Sequence, residues 1–94
     1  MLTDIQIRQA KGNGKAQRLW DERGLYLEVT PPGGKVWRFK YRMNGKEKRI
    51  GFGRYPDVPL ALARERREEA RKLLAAGVDP SVQRQAQKAA TEAI

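Results

Sequence analysis

The chain of 94 residues has no cysteine and no histidine. Without cysteine there are no disulfides and no thiolate metal ligands, and a reducing compartment is permitted. Without histidine the commonest general base and the commonest metal ligand are missing. No apolar run approaches the roughly 20 residues a membrane span needs. The first ten residues, Met1 to Ala10, are polar and amphipathic, unlike a signal peptide. The sequence also has no Ser-His or Cys-His pair and no carboxylate pair set in an apolar stretch. Its glycine motifs are incomplete. Gly51-Phe52-Gly53 meets Pro56 where a dinucleotide fingerprint needs its third glycine, and Gly12-Asn13-Gly14-Lys15 lacks phosphate-loop spacing. Both read as turns. The expectation is a module without cofactor, metal, membrane contact or catalytic activity of its own.

The excess of basic over acidic residues is concentrated in one stretch. Residues 35–54 hold eight cations (Lys35, Arg38, Lys40, Arg42, Lys46, Lys48, Arg49, Arg54) against the single acid Glu47. That fifth of the chain therefore carries +7 of the net +9. A surface tuned only for solubility intersperses both signs. Cations concentrated this way are the footprint of a polyanion binder.

The local pattern predicts an α+β fold. Thr3 with Gln6 forms a capping-box pair, with Asp4 in the first turn, so a short helix is expected over about Asp4–Ala10. Gln17–Trp20 reads as a short edge strand, with Trp20 taken as a packing residue. Leu25–Thr30 alternates with period two: Leu25, Leu27 and Val29 face one way, Tyr26, Glu28 and Thr30 the other. Pro31-Pro32-Gly33-Gly34 breaks that strand. Val36–Met43 alternates again, with Trp37, Phe39, Tyr41 and Met43 on one face and Val36, Arg38, Lys40 and Arg42 on the other. Asn44-Gly45 is the favoured two-residue hairpin turn. The return strand, about Lys46–Phe52, puts Ile50 and Phe52 on the apolar face and Glu47, Arg49 and Gly51 opposite.

Leu60–Ala76 is strongly helical in composition, with a stripe of Leu60, Ala63, Ala70 and Leu74 widened by Leu73. Arg67 falls close to that stripe. Gly77 stands where a terminating glycine belongs. The expected architecture is a three- to four-stranded antiparallel sheet packed against this one long C-terminal helix, with a short N-terminal helix. The helix has one available partner, the aromatic face of the sheet. Asp79-Pro80 then starts a second helix as N-cap and first-turn proline. From about Ser81 it has almost no apolar stripe and is expected not to pack on the domain. The reading is thus a domain over 1–78 and, over 79–94, the start of a helical linker.

Binding is what these residues support. An antiparallel ribbon fits the major groove of B-DNA, and alternate side chains of one strand all point into it. Arg38, Lys40 and Arg42 have that spacing. Arginine pairs with guanine O6 and N7, and lysine reaches bases or phosphates. Tyr26 on the neighbouring strand suits a sugar or phosphate. Lys35, Lys46, Lys48 and Arg49, toward strand ends and the hairpin tip, suit phosphates. Two other partners fit a basic module of this size: structured RNA, and an acidic protein.

The sequence also resembles a known family. Leu2-Thr3-Asp4 with Ile7-Arg8, Gly24-Leu25-Tyr26-Leu27, Lys35-Val36-Trp37-Arg38-Phe39-Lys40-Tyr41-Arg42, Asn44-Gly45-Lys46, Gly53-Arg54-Tyr55-Pro56, Leu60-Ala61-Leu62-Ala63-Arg64 and Gly77-Val78-Asp79-Pro80 run in register. In order and spacing they resemble the N-terminal, arm-type DNA-binding domain of prophage tyrosine recombinases, over about residues 2–84. The resemblance implies binding to arm-type sites flanking an attachment core. It also implies a role as tether for a separate catalytic domain that carries the tyrosine nucleophile, and partnership with that domain and with other integrase protomers, in a bacterial cytoplasm. Two features depart from the family pattern. The turn is Asp21-Glu22-Arg23-Gly24 rather than glycine-rich, and Pro59 stands where a Ser or Thr would cap the main helix, leaving Asp57 to cap it.

Overall fold

The computed structural model describes the backbone of residues 1–92 and side chains through residue 86. In chain order the elements are α1 (Asp4–Gln9), β1 (Gln17–Trp20), β2 (Leu25–Val29), β3 (Lys35–Met43), β4 (Lys46–Arg54), α2 (Leu60–Ala75) and α3 (Pro80–Glu92). The strands form one antiparallel sheet in the order β1-β2-β3-β4. The expected α+β architecture holds, with four strands rather than three.

Local chemistry sets each boundary. Thr3 Oγ1 accepts from the Gln6 amide while the Gln6 side chain accepts from the Thr3 amide, so α1 begins on a complete capping box. Asn44 and Gly45 both have positive φ, 53° and 77°, as the two-residue turn between β3 and β4 requires. α2 ends on a Schellman motif: Val78 N donates to Leu73 O and Gly77 N to Leu74 O, with Gly77 left-handed at φ 78°. Its start differs from expectation. The N-cap is Pro59 and no side chain caps it, Asp57 included. Backbone alone opens the helix, with Ala63 N donating to Pro59 O.

Register follows the apolar set, because a slip of one residue would expose every core side chain. Leu25 pairs with Phe39, Leu27 with Trp37 and Phe39 with Ile50. All of these, with Val29 and Phe52, are buried under α2, whose Leu60, Ala63 and Ala70 complete the core with Ile7 and Leu2. The Trp37 indole N–H donates to Val58 O at 2.7 Å, so the largest core side chain leaves no polar atom unpaired.

The register of β3 and β4 shifts between Trp37 and Arg38: Trp37 pairs with Gly53 and Arg38 with Gly51. Phe52 is the extra residue of this bulge. Gly53 has φ 112°, and a Cβ there would lie 2.7 Å from Val58 Cγ2. A Gly53→Ala substitution combines forbidden backbone with a clash against a core residue. The expected loss is about 1–3 kcal/mol, measured by urea unfolding.

α3 departs from expectation. Its root is tied to the sheet rather than free of it. Asp79 caps the helix by accepting from Ser81 N and Oγ. The same carboxylate accepts from Tyr41 OH at 2.6 Å and from Lys48 Nζ. Arg84 Nη1 donates to Gly51 O, and its guanidinium lies 5.9 Å from the Phe52 ring centre. Polar anchors thus replace the missing apolar stripe. These hydrogen bonds put Asp79 well below the usual carboxylate range.

A candidate nucleic-acid interface on the open sheet face

One side of the sheet carries α2. No helix among the described residues packs on the other. Directly opposed residues of an antiparallel pair share a face. The pairs Trp20–Tyr26, Tyr26–Arg38, Arg18–Glu28, Lys40–Arg49, Arg42–Glu47 and Val36–Arg54 therefore define the open face. It gathers six cations (Arg18, Arg38, Lys40, Arg42, Arg49, Arg54) against two carboxylates, Glu28 and Glu47.

Tyr26 is the floor of this face. It is only 1% exposed, although it lies on the side away from the core. The Trp20 ring covers it at 4.5 Å between centroids, and the Arg18 guanidinium sits 5.5 Å from its ring centre. The Tyr26 side chain beside Arg49 raises the guanidinium pKa further. The direct sugar or phosphate contact expected of Tyr26 is therefore closed. Tyr26 instead positions Trp20, Arg18 and Arg49.

The three cations of β3 differ in how they are held. Arg38 Nε donates to Glu28 at 3.0 Å and is about one-third exposed. Lys40 pairs with Glu47 across the strands and leans 5.9 Å from the Trp20 ring centre. That hydrogen bond holds the Glu47 carboxyl below its ordinary range, with a further contribution from the field of Arg42. Arg42 is exposed toward the hairpin tip. An exposed pair such as Lys40–Glu47 is worth about 0–1 kcal/mol, so a phosphate or a base edge can take Lys40 over.

The remaining expected site residues do not join this face. Lys48 shares parity with Ile50 and Phe52, pairs opposite Tyr41, and is held by Asp79 on the helix side. Lys35 pairs opposite the buried Val29 and lies 5.7 Å from the Tyr55 ring centre. Lys46, opposite Met43, is exposed at the tip. Charge density along the sequence marked all three, but parity assigns them to the other side.

Three residues of the face were not anticipated: Arg18, Trp20 and Arg54. Trp20 is 45% exposed among the cations rather than packed in the core. The alternation of Gln17–Trp20 was visible, but which half of it faces outward depends on the β1–β2 register.

Among the described residues no group of His, Cys, Asp or Glu could hold a metal ion, and no helix is long and apolar enough to cross a membrane.

Comparison with known proteins gives one consistent result. Residues 2–87 match the family described as "Arm DNA-binding domain". The chain is 48% identical over 83 residues to the integrase of Enterobacteria phage P4, covering 86% of this chain and 19% of that protein. It is 46% identical over 80 residues to the integrase of Shigella phage Sf6 and to the prophage integrase IntS of Escherichia coli K12, covering 85% of this chain and 21% of each. The chain thus spans about a fifth of the length of these relatives. The match is to the small DNA-binding domain alone, so these 94 residues do not include an integrase catalytic domain.

Proposed function

Because the chain belongs to the arm DNA-binding domain family, we propose that its open sheet face docks in the major groove of arm-type sites in attachment-site duplex DNA. Arg38, Lys40 and Arg42 face the groove, and Arg18, Arg49 and Arg54 meet the flanking phosphates. The observation that carries this reading is the segregation of side chains along β3: Trp37, Phe39 and Tyr41 are buried under α2, while Arg38, Lys40 and Arg42 emerge on the side that no helix among the described residues covers. Single-strand stacking on those aromatics is thereby disfavoured, since their rings are committed to the core.

In the whole protein the domain would act in the bacterial cytoplasm, on the nucleoid. It would tether a catalytic domain and neighbouring protomers to the arms during integration and excision. α3 would run on as the linker to that region. Its anchored root, through Asp79 and Arg84, would fix the direction in which the linker leaves the sheet.

The test is a footprint of this chain on attachment-site DNA, repeated over a salt series. With a net of four positive charges on the face, about four phosphates are neutralised, and the slope of log affinity on log salt is expected near −4. Affinity then falls roughly 200-fold between 50 and 200 mM salt. A protected arm segment with that slope supports the reading. Equal affinity for structured RNA of the same length, or a flat salt response without protection, rejects it in favour of an RNA module or a protein-interaction domain.

A further inference from the structure

Trp20 is the anomaly of the open face. The other tryptophan, Trp37, is fully buried, and every other ring on the sheet strands is at most 6% exposed. Trp20 is 45% exposed, at the edge strand, in line with Tyr26 and Arg38 across the sheet. Its surroundings are cationic: Lys40 Nζ lies 5.9 Å from its ring centre, and Arg18 shares its strand. An indole exposed among these cations and braced by Tyr26 offers a ligand an apolar contact surface. B-DNA has an apolar group to meet it in the major groove, the C5-methyl group of thymine.

Resting on the reading above, we propose that Trp20 is a specificity residue that packs on a thymine methyl in the groove next to the base contacts of Arg38. Tyr26 already occupies one side of the indole at 4.5 Å. Stacking of an unpaired base would also need the Lys40–Glu47 pair moved aside. A methyl group asks for neither change. Tyr26 holds the indole in place from below, so little side-chain freedom is lost on contact.

The experiment starts from a randomised 20-base-pair duplex library, selected separately with the wild-type chain and with Trp20→Ala. The wild type should enrich a thymine at a fixed offset from its other preferred bases, and Trp20→Ala should not. The best wild-type duplex is then rebuilt with deoxyuridine at that position, which removes the methyl alone. Wild-type affinity should fall about four-fold, the equivalent of one buried methyl group, and Trp20→Ala affinity should not change. Trp20→Leu keeps an apolar contact at an edge position and should retain part of the discrimination. Unchanged wild-type affinity for the deoxyuridine duplex, with duplex binding intact, overturns the assignment while leaving the sheet-face reading standing. Preference of the wild type for single-stranded over duplex DNA overturns it too. Absence of duplex binding by the wild type defeats the underlying reading itself.

Discussion

Replacing Arg38, Lys40 and Arg42 together by Ala should weaken binding to attachment-site duplex at least 100-fold at fixed salt, with the fold intact. The three side chains leave the same strand toward the same uncovered face. At about 1 kcal/mol for each lost base or phosphate contact, the sum is about 3 kcal/mol, or roughly two decades of affinity. A second effect works in the same direction. Glu28 and Glu47, now neutralised by Arg38 and Lys40, would be left uncompensated against the phosphates. Stability should change little, because the pairs lost are partly or wholly exposed. Circular dichroism and unfolding of the variant check the fold, and a fluorescence titration gives the affinity. A triple substitution of Lys11, Lys15 and Lys72, exposed and outside the sheet strands, removes the same charge. It should cost far less.

The other large effect is on stability, through Asp21. Its side chain is fully buried and accepts from Leu2 N, from Arg64 Nε and Nη2, and from Arg67 Nη1. Through these bonds one carboxylate ties the N-terminus and the β1–β2 turn to α2. Arg67 is itself buried, 8% exposed, and its Nε has no partner. Asp21→Ala would leave that guanidinium buried with little more than Glu68 and a backbone carbonyl for company. Breaking a buried pair in this way costs about 3–5 kcal/mol, a large share of what a domain of this size can hold in reserve. Urea unfolding of the variant measures it. Asp21 also fixes a pH response. Burial by itself would raise its pKa, but the hydrogen bond from Arg64, the Leu2 amide and the two guanidinium charges outweigh it and hold the carboxyl below 3.8. A depressed folded pKa means stability that is complete above the unfolded value and lost as pH falls through the folded one. Wild-type stability should therefore drop below about pH 4 with a contribution that Asp21→Asn lacks.

Much of this architecture was legible because it rests on local rules. Parity along Val36–Met43, the Asn44-Gly45 turn, the capping box at Thr3 and the glycine stop at Gly77 each depend on a few adjacent residues, and the structure agrees with all four. What escaped depends on contacts between distant segments. The position of Trp20 needs the β1–β2 register. The capture of Lys48 needs Asp79, 31 residues away, to return beside β4. The burial of Tyr26 needs Trp20 and Arg18 to close over it from the neighbouring strand β1. Arg67 was conspicuous near the apolar stripe, but only the fold reveals its partner, 46 residues back along the chain.

The central claim is that DNA meets the sheet on the side opposite α2. An NMR titration of the 15N-labelled chain with attachment-site duplex locates the contact residue by residue. The account predicts shifts concentrated at Arg18, Trp20, Arg38, Lys40, Arg42 and Arg49, with Lys48, Arg66 and Lys72 on the helix side nearly silent. Shifts centred on α2 and the Lys48–Asp79 contact, with the odd-even pattern of β3 absent, would contradict it.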